Sequence, residues 1–450
     1  MEQPLAERVL DAARPVAEQA EVFAVSSRVT SVRFEANSLK EIQTREGDST
    51  TLRIVRGGRI GVAVAGGLGP DASQVEREGT GVSRLVDMAV ETSSLGEVAK
   101  FAFPSAERYT DVALYDPRVL ELPVEAVIDL GRELIARVRD HTPEIVCEVE
   151  LTRATHSTYI VNSAGAQASY EKTVFGVGLE GVLVRGTDML FVGDGDSSCK
   201  APDGPSALTS RVIEQLELAR DSAQIRAGQM PVVFTPQAVA GVLLEPLTLP
   251  FNGKVLVEGS SALEGRVGEQ VFDARLTLTD DSTVPYRPGS APCDDEGVPG
   301  RPVPLIGEGV VGGFLYDLRT AAAAGTRSTG HGRRVVSSGQ VRPAPSCLLV
   351  ERGGVPFPDM VKEMQEGLVV EQLIGAGQGN LLAGDFGGNV LLGYKVERGH
   401  IVGRVKDTMI HGNIYKDLGG DVLVGDQGRW VGGSVWTPHL FCARVSVSAG

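Results

Sequence analysis

A β-rich α+β fold is predicted for this chain by three observations. Glycine is abundant at 56 of 450 residues while aromatics make up only 5%, a balance that favours many short strands and turns over long helical bundles. Apolar and polar residues alternate through much of the first half, which is the period of a half-buried strand. The order helix, strands, helix occurs twice before a long Gly-rich remainder. Together these predict two smaller β-meander-plus-helix units followed by a large β-dominated C-terminal domain. The divisions fall at 1–105, 106–228 and 229–450, and the second unit reads as a repeat of the first in element order, with weak residue identity.

In the first unit a helix runs from Pro4 to about Gln19 with Leu5, Val9, Leu10, Ala13 and Val16 as its apolar face, and Pro15 should bend or cut it. Strands follow at Val22 to Val29, Ser31 to Glu35 and Ser38 to Arg45. Leu52 to Arg56 then turns at Gly57-Gly58 into Ile60 to Val64. A helix from about Gly81 to Glu91 closes the unit.

The second unit opens with an amphipathic helix from Pro123 to His141, striped by Val127, Ile128, Leu130, Leu134, Ile135 and Val138. Strands are expected at Ile145 to Leu151 and Ser157 to Val161, with a turn at Asn162-Ser163-Ala164-Gly165. Further strands reach about Val184, and a helix spans Ala207 to about Ala223. Pro231 to Phe234 then reads as a strand leading into a helix with Thr235 as N-cap and Pro236 at its first position, through about Leu244. Beyond it, short β-like runs such as Val390 to Lys395, Ile401 to Val405 and Phe441 to Val447 alternate with Gly-rich turns, and Phe357 to Gly367 is one further helix.

Charge and cysteine usage exclude several function classes. The formal net charge is −15, and no run of Lys or Arg could release counterions from a phosphate backbone, so no direct contact with nucleic acid is expected. Met1 to Ala20 contains Glu2, Glu7, Arg8, Asp11 and Arg14, unlike a signal peptide. No stretch approaches the ~18 apolar residues of a membrane helix, so no membrane partner is expected. Cys147, Cys199, Cys293, Cys347 and Cys442 are odd in number and widely spaced, without any CxxC, which fits a reduced cytoplasm.

Local motifs are weak. Gly176 to Gly181 matches GxGxxG, but Val182-Leu183-Val184 continues as strand where a dinucleotide site needs a helix. Gly375 to Asn380 lacks the Lys-Ser/Thr of a phosphate loop. Asp280-Asp281 and Asp294-Asp295-Glu296 are the densest carboxylates, open to two readings: hard-cation or acid/base chemistry, or the capping of turns. The six histidines include no pair at helical ligand spacing, and neither HExxH nor HExxxH occurs. No GxSxG surrounds a serine, and Ser260 and Ser261 are assigned no chemistry.

Longer blocks carry more. Gly259-Ser260-Ser261-Ala262-Leu263-Glu264-Gly265-Arg266-Val267-Gly268-Glu269-Gln270-Val271, then Leu276 to Asp281, then Asp294 to Pro299 resemble a series found in TldD and TldE (PmbA) proteins. Weaker similarity covers most of the chain, including the Leu52 to Val64 hairpin and Pro231 to Phe234. In the active member of that family a Gly-Val-Leu-Leu type of segment continues into HExxxH on a helix. Here Gly241 to Leu244 continues into Glu245-Pro246-Leu247-Thr248-Leu249-Pro250. Glu245 stands at the first His position, Pro246 at the base position, and Leu249 or Pro250 at the second His. The third zinc ligand of TldD-like chains is a cysteine near the C-terminus, and the matching region, Asp426 to Gly433, has none.

The resemblance therefore implies a non-catalytic TldE-like chain with no cofactor of its own. On that resemblance it is expected to pair with an HExxxH-bearing TldD-like paralogue that carries the zinc, for proteolysis or maturation of peptides. Within Gly259 to Val298, the residues Ser260, Ser261, Arg266, Glu269, Asp294, Asp295 and Glu296 are then candidates for an interface or chamber wall. Two alternatives stand beside this: a homo-oligomeric peptide-binding or scaffold protein, and an enzyme using Glu245 with Asp294, Asp295 and Glu296.

Overall fold

The computed structural model describes residues 2–67, 80–204 and 206–449. Its first layer is one six-stranded antiparallel sheet of β1 (Gln19–Glu35), β2 (Ser38–Arg56), β3 (Arg59–Ala65), β4 (Val146–Asn162), β5 (Gln167–Arg185) and β6 (Asp188–Ser198), in the order β3-β2-β1-β4-β5-β6. Each half is a three-stranded meander flanked by helices. The halves join where β1 pairs with β4, from Glu21 opposite Asn162 to Phe34 opposite Val149.

Several strands expected as separate pieces are continuous. Ser26 and Ser27 interrupt the apolar alternation of β1, yet that strand is hydrogen-bonded on both sides, to β2 and β4, so its ladder does not depend on side-chain character there. The same holds for β4 through Thr152 to His156. β6 was not predicted beyond Val184, because Asp188 to Ser198 is rich in Gly, Asp and Ser; it forms by pairing with β5 from Phe175 to Arg185. The hairpin turns use positive φ at both central residues, Ala36 and Asn37 (49° and 66°) and Gly57 and Gly58 (57° and 70°), the geometry that matches strand twist.

Helix Glu2–Ala13 ends before Pro15, which has no N–H to continue the ladder. It buries Ala6, Val9, Leu10 and Ala13 together with Leu85, Val86 and Ala89 of helix Thr80–Ser93, against Val22, Leu52 and Ile54 of the sheet. Burial contributes about 1.5–3 kcal/mol for each of the larger side chains. Helix Val124–His141 does the same in the second half through Val127, Leu134 and Val138. A side chain at Gly131 would run into the Phe34 ring, so that position requires glycine for the helix to approach β1.

The C-terminal domain is built on an eleven-stranded mixed sheet. β7 (Gly228–Phe234) runs parallel to strand Glu366–Ile374 and antiparallel to strand Val435–Ala449. A helical run follows: Pro236–Ala238, a wide π turn at Val239–Leu243, Leu244–Thr248, then a 3₁₀ turn at Leu249–Phe251. Thr235 caps it by accepting from Ala238 N–H, with Pro236 at the first position. Pro246 would crowd the carbonyl of Val242 in a regular helix, and the π turn lies just ahead of it.

The helix expected to reach Gly367 stops at Lys362. From Glu366 the chain enters a strand bonded on both edges, and that pairing overrides local helical preference. The core under helix Ser206–Leu218 merges with Met360, Val369, Leu392 and Tyr394, so the second unit and the C-terminal domain share one apolar interior. All five cysteines are free and buried. Among the described residues, no helix is long and apolar enough to cross a membrane.

Candidate functional site

The helical run after Thr235 presents four unlike side chains where the zinc motif would stand. Glu245 is exposed, Pro246 and Pro250 are buried, and Leu249 is half-buried. A Cβ built at Gly377 would stand 3.7 Å from Glu245 Oε2, so this carboxylate lies beside the 375–380 loop. Zinc needs about three protein ligands with nitrogen, sulfur or oxygen lone pairs. Leucine and proline side chains have none, and one carboxylate is a single ligand. Among the described residues no three His, Cys, Asp or Glu side chains converge as a metal site. The residues at this position do not fit zinc.

The fold nonetheless brings the two halves of that position toward each other. Strand Val422–Val431 carries the segment where a cysteine would be expected, and its Arg429 Nη2 lies 3.5 Å from Gln237 Oε1 on the first turn of the helical run. A register shift between Val424 and Gly428 breaks the strand pairing at the same place.

Beside this contact lies a cleft of about 240 Å³ between helix Ser206–Leu218 and the C-terminal sheet. Glu371, from strand Glu366–Ile374, accepts from Gln215 Nε2 at 3.1 Å. Burial pushes its carboxyl up to about 7 despite the opposing pull of Thr235, Arg429 and Gln215. Asp194 of β6, whose side chain is 1% exposed, anchors both Arg211 and Arg429. His439 stacks on Phe357 with ring centroids 4.5 Å apart, and burial followed by the Arg429 charge lowers it to about 4, so it is neutral at pH 7. Tyr394 is 1% exposed and lines the cleft, and its hydroxyl has no hydrogen-bond partner. Of these residues the sequence flagged only the 426–433 segment and His439 as a lone histidine. Glu371, Tyr394 and Asp194 belong to no motif.

The carboxylates singled out in the sequence go elsewhere. Asp294 and Glu296 are fully buried, and Asp294 accepts from the N–H groups of Glu296, Val298 and Gly332. Glu296 accepts from Arg53 of β2 at 2.6 Å and from Leu318 N–H at 2.7 Å. Arg53 also pairs with Glu21 of β1, which in turn pairs with Arg334. Asp295 accepts from Arg334 N–H at 2.7 Å. Burial raises both Asp294 and Glu296, and Arg53 opposes that rise in Glu296. These residues form a charge seam between the first sheet and the C-terminal domain. Asp280 is likewise buried, bonded to His331 Nε2 at 2.9 Å and Ser346 N–H at 2.7 Å.

Ser261 donates to Pro250 O at 2.6 Å and accepts from Leu263 N–H, fastening its turn to the end of the helical run. Ser260 is exposed, and Arg266 pairs with Glu269 at 2.9 Å on the surface. The structure thus unites Asp294, Asp295 and Glu296, and leaves Ser260, Ser261, Arg266 and Glu269 outside that cluster. A larger groove of about 730 Å³ lies over the first sheet beside Pro288 and Val336 of the C-terminal domain, lined by His156, Tyr170 and Lys172. Lys172 donates to Pro288 O and Ser290 O, both at 2.6 Å, and burial lowers it to about 8.

Comparison with known proteins agrees with this architecture. The family model for PmbA/TldA metallopeptidase domain 1 matches residues 20–93, that for the central domain residues 117–224, and that for the C-terminal domain residues 227–449. A metalloprotease of Methanothermobacter thermautotrophicus is 24% identical over 89% of this chain and 86% of its own. A metalloprotease TldD homolog of Haemophilus influenzae is 31% identical over 42% of this chain and 39% of its own. The crystal structure of TldE from Thermococcus kodakarensis shares the fold, with a TM-score of 0.88 at 24% identity over 99% of both chains. With all three domains matched in order along a three-domain fold, this chain belongs to the PmbA/TldD metallopeptidase family.

Proposed function

We propose that this chain is the non-catalytic subunit of a two-chain zinc peptidase, pairing with an HExxxH-bearing TldD-like paralogue that holds the metal. The observation that carries this reading is the donor chemistry of the helical run: Glu245, Pro246, Leu249 and Pro250 stand where two imidazoles and a general base would be needed. The missing cysteine in Asp426 to Gly433 supports it independently. The reading that recruits Glu245 with Asp294, Asp295 and Glu296 is disfavoured by Glu245 lying exposed while Asp294 and Glu296 are sealed among structural donors and Asp295 is held by Arg333 and Arg334. An acidic chain with five free thiols suits work in a reducing cytoplasm without nucleic acid. Its substrates on this reading are peptides, admitted to an enclosure completed by both chains.

Native mass spectrometry of the chain, isolated gently from its own cells, tests the proposal. A partner of roughly equal mass bearing HExxxH and about one zinc per pair is the expected result. Stoichiometric zinc and peptide cleavage by the isolated chain would overturn it. A metal-free homo-oligomer would also overturn it, in favour of a binding or scaffold role.

A further inference from the structure

In the cleft beside Arg429, among the described residues no cation is hydrogen-bonded to Glu371 or to the Tyr394 hydroxyl. The cleft's two arginines, Arg211 and Arg429, are both committed to Asp194. Glu371 is met only by neutral Gln215 and Thr235 and by the more distant Arg429 charge. The Tyr394 hydroxyl has no partner, and the negative charges nearest it are Glu371 and Glu214. A buried phenol beside two carboxylates lacks a cation with several hydrogens to give. An ammonium has three donors and no acceptor, which is the complement of this arrangement.

The remaining walls are apolar, from Leu218, Phe357 and Pro236. At about 240 Å³ the cleft falls below the ~300–1,000 Å³ of drug-sized pockets and suits one terminal residue better than a long segment. We infer that this cleft binds a primary ammonium carried on a small apolar residue, as the amino terminus of a peptide presents it. Glu371, Glu214 and Tyr394 receive the three N–H groups, and the apolar walls take the side chain. Every group named belongs to this chain, so the inference stands or falls without regard to the pairing proposal.

Titration calorimetry of the isolated full chain tests it, with leucyl-trialanine, its N-acetyl form and Nα-acetyl-lysine amide as probes. The free-amino peptide binds and the acetylated one does not. Glu371→Gln weakens binding about ten- to hundredfold, the range for a hydrogen bond to a charged group, and Tyr394→Phe about two- to tenfold. The groups facing Glu371 are Arg211 and Glu214 from the helix, Asp194 from β6, Tyr394, and Arg429 and His439 from the last two strands. With His439 neutral, affinity rises as Glu371 ionises near pH 7 and falls above about pH 8 as the α-amine loses its proton. Tyr394→Phe keeps the core filled, so a far-UV spectrum and melt matching the parent separate lost binding from lost fold. Equal binding of the acetylated peptide, or no heat from the free one at millimolar concentration, overturns the inference. Tighter binding of the lysine derivative overturns the assignment to a terminus.

Discussion

Replacing Arg53 with Met tests whether the charge seam holds the first sheet to the C-terminal domain. Arg53 is 5% exposed, bonds Glu21 and Glu296, and lies over the rings of Phe101 and Phe103 at 5.2 and 4.9 Å. Burial depresses its guanidinium, and Glu21 with Glu296 more than reverse this, so the charge is retained. Methionine keeps much of the stem volume, leaves the sealed Glu296 carboxylate without its cation and leaves Glu21 with Arg334 alone. Removing one partner from such a buried pair costs about 3–5 kcal/mol. Unfolding entropy of about 2.1 cal/mol/K per residue amounts to roughly 0.95 kcal/mol/K over 450 residues. The melt therefore falls by about 3–5 °C if the chain unfolds as one unit, or about 6–11 °C if only the first half, roughly 225 residues, is released.

The loss also depends on pH. Glu296 is raised in the folded chain by burial, and losing Arg53 raises it further. A group with a raised folded value stabilises below its unfolded pKa and loses that contribution as pH rises through the folded one. The Arg53→Met deficit is thus smallest near pH 4 and grows toward neutrality. Scanning calorimetry at pH 4.5 and 7.5 reads both effects, with Arg132→Ala as control, since the Arg132–Asp129 pair is 63% and 71% exposed and contributes little. A fall at pH 7.5 no larger than the control's would refute the reasoning.

Glu371→Gln should raise stability at pH 8 relative to the parent by on the order of 1–3 kcal/mol and make no difference at pH 4, because burial lifts the Glu371 carboxyl to about 7 and its contribution is lost as pH rises through that value; urea unfolding at the two pH values measures it. Thr235→Ala should cost about 1–2 kcal/mol in the same assay and Thr235→Ser much less, since the hydroxyl both caps Ala238 N–H and bonds Glu371. Chelator should leave the melt of the isolated chain unchanged while abolishing peptide cleavage by the proposed two-chain complex; a drop of several degrees in the isolated chain would place a structural metal in it.

Periodicity and turn chemistry made much of the architecture legible. The amphipathic stripe of Val127 to Val138, the Gly57-Gly58 turn and the Thr235-Pro236 helix start are local signals, and each element formed where its residues indicated. Two failures share one cause. β6 and the Glu366–Ile374 strand are held by backbone pairing, β6 to the adjacent β5 across a tight turn and Glu366–Ile374 to the next strand and to the far earlier β7, and side-chain preference does not register such pairing.

The sequence alone determined the chemistry available at the helical run, because a leucine or proline cannot ligate zinc in any fold. It also determined the family, through ordered blocks spread over most of the chain. Tertiary structure alone decided what the acidic residues do. Glu296 pairs with Arg53, more than two hundred residues away, and Asp294 takes the N–H groups of Glu296, Val298 and Gly332, because the seam excludes water and a buried carboxylate must find donors. The Glu371 and Tyr394 cleft likewise exists only where a helix of the second unit meets the last sheet. No spacing along the chain encodes that meeting, since it depends on two sheets packing around one shared core.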